Sequence, residues 1–262
     1  MPRPSPPDQS VKTMLSRYFP LCLGLAGVLM THSAFASISL SSTRIIFDGA
    51  HKEANVTVRN GGQTILAQSW LDAGDTAGSA PPFAVTPPLA KLEPNQQQLL
   101  RILYEGRGMP ADKESVVWLN VQEIPQASAA DVNTLQLAVR QRIKVFFRPD
   151  GLTGDAAKAP EQLAWQLVTQ AGKSVLKVKN QSNYHVSLAD LKVVAGKKAE
   201  LVIDSTMIVP GEVRSFNLKD LPAGTSHLSF SAINDYGAQQ RFDAPLSVAE
   251  SHAERVKDAS AQ

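Results

Sequence analysis

Leu135-Gln-Leu-Ala-Val-Arg-Gln-Arg-Ile-Lys-Val-Phe-Phe-Arg148, followed at once by Pro149-Asp150-Gly151, is the stretch on which the fold turns. Leu135, Leu137, Val139, Ile143, Val145 and Phe147 share odd parity. Gln136, Arg140, Arg142, Lys144 and Arg148 hold the even face, with Ala138, Gln141 and Phe146 as exceptions. A period of two means a β-strand, because successive side chains point to opposite faces. The pattern is longer than the usual ~5–6 residues of a strand. Pro149-Asp150-Gly151 then opens a Gly/Ala/Pro-rich stretch to Pro160, which reads as a domain boundary.

Moving outward, both sides of that boundary read as short strands and turns. On the N-terminal side, Ile38 and Leu40 with Ile45-Ile46-Phe47 give a first strand ending at Asp48-Gly49, and Val56 and Val58 alternate up to Asn60-Gly61-Gly62. Thr64–Leu71 carries Trp70 as an expected core anchor, Leu100, Ile102 and Tyr104 alternate, and Ser115–Ile124 with Trp118 stops at Pro125. On the C-terminal side, strand signals fall at 163–168 with Trp165, at Leu176 and Val178 before Asn180-Gln181-Ser182, and at Leu228, Phe230 and Ala232. The stretch 240–248 closes the series. Strands at this spacing without amphipathic helices between them argue for β-sandwiches. The expected fold class is all-β: residues 37–149 form one domain, 150–248 a second and smaller one, and 249–262 a polar, frayed tail.

Residues 1–36 stand apart. Lys12 and Arg17 precede the apolar run Phe19–Met30, which ends in Ala34-Phe35-Ala36. That is the form of a cleaved secretory signal peptide, and the run is too short for the ~20 residues of a membrane span. Translation is expected to start at Met14 rather than Met1, since the Pro-rich stretch before Met14 adds nothing to a signal. Cys22, the single cysteine, lies inside this segment and too early in the apolar run to be a lipoprotein cysteine, so no disulfide framework is expected. The full chain has 26 basic and 24 acidic residues, and losing Arg3, Lys12, Arg17 and Asp8 leaves it formally neutral. With 43% hydrophobic and 19% charged residues it can bury a core, and its charge gives no reason to expect nucleic acid.

Chemistry is hard to find. His32, His51, His185, His227 and His252 show neither H-x-x-x-H nor H-E-x-x-H spacing, so no zinc site is expected. His185, beside Tyr184, reads as a surface or edge histidine. No nucleophile-elbow, Walker or dinucleotide-binding motif appears. The expectation is therefore a secreted binding protein: no enzyme, no cofactor, no metal and no stable membrane anchor.

The residues become specific at Met109-Pro-Ala-Asp-Lys-Glu-Ser-Val-Val-Trp-Leu-Asn-Val-Gln-Glu-Ile-Pro125. This stretch closely resembles the signature of the periplasmic chaperones of the chaperone–usher pilus pathway. Thr43–Gly49, Leu92-Glu-Pro94, Arg142–Pro149 and Ile233-Asn-Asp-Tyr-Gly-Ala238 match in the same order. The short 126–134 loop and the cysteine-free mature chain are similar to the short-loop branch. Gln126 and Asn183 depart from the family pattern, both in turns.

The resemblance implies two Ig-like domains set at an angle with a cleft between them. It implies a periplasmic chaperone that lends a strand to pilus subunits lacking their last one and delivers them to an outer-membrane usher. Leu135, Leu137 and Val139 would be the donor side chains, where without the resemblance they would read as ordinary inward-facing core residues. Arg44 and Lys144 would hold the subunit's C-terminal carboxylate. Glu114, Arg148 and Asp235 would form an interdomain ionic network. Donor strands capping one another would give a dimer of the free protein. The rivals are a structural fibre subunit, a carbohydrate-binding or hydrolytic sandwich, and a relative serving a non-pilus surface fibre.

Overall fold

The computed structural model describes residues 38–74, 80–126, 137–219 and 226–257, which form two β-sandwiches in succession. The expected signal segment with Cys22, the 127–136 loop with Leu135, and 258–262 of the tail lie outside the described residues.

In chain order the first sandwich contains β1 (Ile38–Leu40), β2 (Arg44–Asp48), β3 (Glu53–Asn60), β4 (Ile65–Asp72), β5 (Phe83–Thr86), β6 (Leu89–Leu92), β7 (Gln97–Tyr104), β8 (Ser115–Pro125) and β9 (Arg140–Arg148). One sheet runs β1-β3-β7-β5 and the other β2-β9-β8-β4-β6. The second sandwich follows a short 3-10 helix (Ala156–Gln162). It contains β10 (Leu163–Gln170), β11 (Lys173–Asn180), β12 (Val186–Ala195), β13 (Lys198–Ile208), β14 (Val213–Asn217), β15 (Ser226–Ile233), β16 (Gln239–Pro245), β17 (Ser251–His252) and β18 (Glu254–Arg255). Its sheets run β14-β11-β10-β17 and β13-β12-β15-β16-β18.

Each sandwich closes around the inward-facing residues of its strands. Phe47, Phe83, Tyr104 and Phe147 meet in the first core, with Tyr104 and Phe147 centroids 4.6 Å apart. Trp165, Phe230 and Phe242 meet in the second, at 5.3 and 5.6 Å. Ring pairs of this kind, tilted and edge-on in the first core and tilted and stacked in the second, add to what burial alone contributes. A buried asparagine closes a turn in each half. Asn60 Nδ2 donates to the carbonyls of Gln63, Leu92 and Glu93 while its Oδ1 accepts from Gly62 N–H. Asn180 Nδ2 donates to the carbonyls of Tyr184 and Ile208 while its Oδ1 accepts from Ser182 N–H. Asparagine suits both places because one side chain both donates and accepts where the backbone leaves its ladder.

Three expectations need correction. Trp70 is not a core anchor: Ile65, Ala67 and Ser69 of β4 are the buried set, and strand parity puts Trp70 on the opposite, partly exposed face. The long strand starts at Arg140, with 137–139 outside any strand, although Glu123 N–H still donates to the Val139 carbonyl at 2.9 Å. The tail is not frayed over 251–255. There β17 pairs with β10, β18 pairs with β16, and Ala253 between them is buried against the second core.

Candidate functional site

Among the described residues every strand pairing is antiparallel except that of β2 with β9, which run parallel with Arg44 opposite Lys144 and Asp48 opposite Arg148. This register brings together cations that lie a hundred residues apart in sequence. It also stops short: β2 covers β9 only from Lys144 to Arg148, so among the described residues Arg140–Ile143 have no strand partner on that side. An unpaired edge presents a row of N–H and C=O groups to an incoming strand.

At the C-terminal end of β9 every charge is answered. Arg148 Nε donates to Glu114 Oε2 at 2.7 Å, and its two terminal nitrogens grip Asp235 at 2.8 and 2.7 Å. Glu114 is buried, and its other oxygen accepts from the His185 backbone N–H at 2.8 Å and lies 2.9 Å from His185 Nδ1. The Glu114 N–H donates to the Asn183 carbonyl, and Asn183 Nδ2 reaches Thr153. Burial alone would push the Arg148 guanidinium down, but its hydrogen bonds to Asp235 and Glu114 outweigh that and hold it above its ordinary value. The Arg148 guanidinium also lies 5.3 Å from the Tyr184 ring centre.

Four residues earlier the balance reverses. Among the described residues neither Arg44 nor Lys144 has an ion-pair partner. Arg44 donates one hydrogen bond, from Nη1 to the Ile233 carbonyl at 3.0 Å, and lies over Phe146 at 5.5 Å, while its buried Nε has no partner. Burial draws the Arg44 guanidinium below its ordinary value, against the opposing pull of Asp235 and Glu114. Burial and then the charge of Arg44 draw Lys144 down as well. Its ammonium sits 5.4 Å from the Trp118 ring centre. The neighbouring Arg142 differs, because Asp72 takes it at 2.7 Å and Trp118 lies beneath it at 4.3 Å.

Between the sandwiches lies a cavity of about 150 Å³ bordered by Arg44, Glu114, Phe146, Arg148, His185 and Asp235. Arg44, Lys144, Glu114, Arg148 and Asp235 therefore all gather at or beside one cleft. Leu137 and Val139 lie apart from both cores, Leu137 being 70% exposed, while Leu135 lies outside the described residues. His185 was misread: it is no surface histidine but has a side chain only 3% exposed, packed against Phe146 and bonded to Glu114. A buried carboxylate needs donors, and one supplied from 71 residues away leaves no local trace in sequence. Phe146 did leave one, as the aromatic residue on the polar face of its strand.

Two Ig-like sandwiches bridged by a buried ion network, with an open cationic edge beside the bridge, define a two-domain binding protein. Residues 37–153 match the family model described as pili and flagellar-assembly chaperone, PapD N-terminal domain, and 158–244 match pili assembly chaperone PapD, C-terminal domain. Chaperone protein LpfB of Salmonella typhimurium is 40% identical over 224 residues, covering 82% of this chain and 92% of that protein. The crystal structure of the YadV chaperone covers 80% of this chain and 100% of its own at 36% identity and a TM-score of 0.69. A chain of the Salmonella enterica SafA pilin–SafB chaperone complex matches at 27% identity and a TM-score of 0.66, covering 86% of this chain and 98% of its own. The chain belongs to the pilus-assembly chaperone family and carries both of its domains in order. That family works in the periplasm, and among the described residues no helix is long and apolar enough to cross a membrane.

Proposed function

We propose that this chain is exported behind a leader spanning 1–36 and captures pilus subunits by pairing their incomplete sandwiches with β9 and the residues before it. The observation that carries this reading is where the free edge of β9 stops: at Ile143, directly before Lys144 and its register partner Arg44. A strand lying along 137–143 with its terminal carboxylate on those two cations must run in the same direction as β9. It would thus prolong the line of β2, which is already parallel to β9. Backbone hydrogen bonds supply affinity in such strand addition, and alternate side chains supply specificity. Leu135, Leu137 and Val139 would fill the subunit's groove, each burial being worth ~1.5–3 kcal/mol. The carboxylate fixes the register, since a slip of one residue would turn all three to the wrong face.

Arg148, Glu114 and Asp235 take a different part: they hold the two sandwiches in one relation, so that the cleft is formed before the subunit arrives. Delivery to an outer-membrane usher completes the cycle and draws on no nucleotide or cofactor. In the absence of a client, the free edge can cap that of a second copy.

The test is to co-express the full-length tagged chain, leader included, with the pilin-like subunits of its host and recover complexes from the periplasm, with and without Lys144→Ala. A stoichiometric subunit held by the wild type and lost in the variant is the expected result. Equal recovery by both would overturn the carboxylate anchor, and no subunit with either would overturn the client class.

A further inference from the structure

The turn 234–238 follows β15 and faces the first sandwich, and it is pinned at nearly every residue. The Ile233 carbonyl just before it accepts from Arg44, and Asp235 holds Arg148 with both oxygens. Gly237 adopts φ +82 and presses so closely on Thr43 that a Cβ there would collide with its hydroxyl. Within the turn, Asn234 Oδ1 accepts from the Tyr236 and Ala238 N–H groups at 3.1 and 3.0 Å, and Gly237 N–H donates to the Asn234 carbonyl at 2.9 Å. Tyr236 is the exception. Its backbone is fixed by its neighbours, yet its side chain is 95% exposed, the most exposed of the large apolar side chains described. It borders the same cavity as Arg44.

A hydrogen-bonded backbone beneath a bare ring is a partly preorganised contact, because binding then has only the ring's own rotamers left to order. Phe146, the other ring at the cleft, is already covered by Arg44 and His185. Tyr236 therefore offers the cleft's unpacked aromatic surface, next to the guanidinium that would hold a chain end.

Resting on the carboxylate-anchor reading above, we propose that Tyr236 packs against the side chain of the client's C-terminal residue. The first sandwich then holds the charge of the chain end, while the second reads its identity. A tyrosine ring favours a bulky apolar or aromatic partner over none, by roughly 0.5–1.5 kcal/mol for a ring pair beyond simple burial. The expected discrimination is therefore about 3- to 10-fold in affinity.

The test uses the full mature chain and synthetic peptides copying the C-terminal strand of a host pilin-like subunit. The peptides are identical except for a last residue of Phe, Leu or Gly, plus a Phe peptide with an amidated carboxyl, and affinities are read by fluorescence anisotropy. Tyr236→Ala should weaken the Phe and Leu peptides about 3- to 10-fold and leave the Gly peptide unchanged, whereas Tyr236→Phe should match the wild type. Lys144→Ala should weaken every free-carboxylate peptide whatever its last residue, and amidation should weaken the Phe peptide. If those two changes have no effect, the anchor itself fails. If they act but Tyr236→Ala alters all three free-carboxylate peptides equally or not at all, the role given to Tyr236 falls while the anchor stands.

Discussion

The two ends of the β2–β9 pair carry the same kind of charge in opposite circumstances. Arg148 is met by two carboxylates and lifted above its ordinary pKa, while Arg44 and Lys144, four register positions away, are drawn below theirs and have no ion-pair partner among the described residues. A chain evolving only to fold would place an acid beside a half-buried pair of cations, as this one does for Arg142 with Asp72. Leaving the pair unanswered is a standing cost to the free protein that a bound carboxylate would relieve. On the proposed reading, the satisfied end is architecture and the unsatisfied end is the site.

Variants can break this contrast. The largest effect on stability should come from Glu114→Ala, which leaves Arg148 half-neutralised and removes the acceptor of two His185 bonds. Breaking a buried pair from one side costs about 3–5 kcal/mol, readable by denaturant unfolding. A loss under 1 kcal/mol would mean that the network is not what joins the sandwiches. A smaller change, confined to binding, is expected of Leu137→Ser. Subunit affinity should fall by about 1.5–3 kcal/mol, as for one side chain removed from a groove. Stability should stay within about 0.5 kcal/mol, as for an exposed position. The reverse pattern would make Leu137 an ordinary core residue.

The alternation of 135–148 was legible because period two leaves a direct mark, and it separated Ile143, Val145 and Phe147, which line or border the core, from the charged face. It could not say where that strand enters the sandwich, since Leu137 and Val139 share the same parity and stay exposed. Trp70 misled because size suggested burial while parity, set by Ile65 and Ala67, ruled it out. Arg44, Lys144, Glu114, Arg148 and Asp235 came from the family resemblance, because no spacing in the chain shows that 44 lies opposite 144. His185 was missed for the same reason: its partner is fixed by how two domains meet. The strands at 251–255 rest on one buried alanine, too slight a signal in a polar tail.

The most direct measurement is thermal unfolding and subunit binding of Lys144→Met, side by side with the wild type. Because Lys144 is drawn down in the folded chain, the unfolded chain holds its proton more firmly. Wild-type stability should therefore rise with pH through the window between the lowered folded value and the ordinary lysine value of ~10.4. Lys144→Met should lack that rise, gain about 1–2 °C in Tm at neutral pH, and no longer hold subunits. A variant that melts lower than the wild type yet still binds subunits would show that Lys144 serves the fold rather than the client.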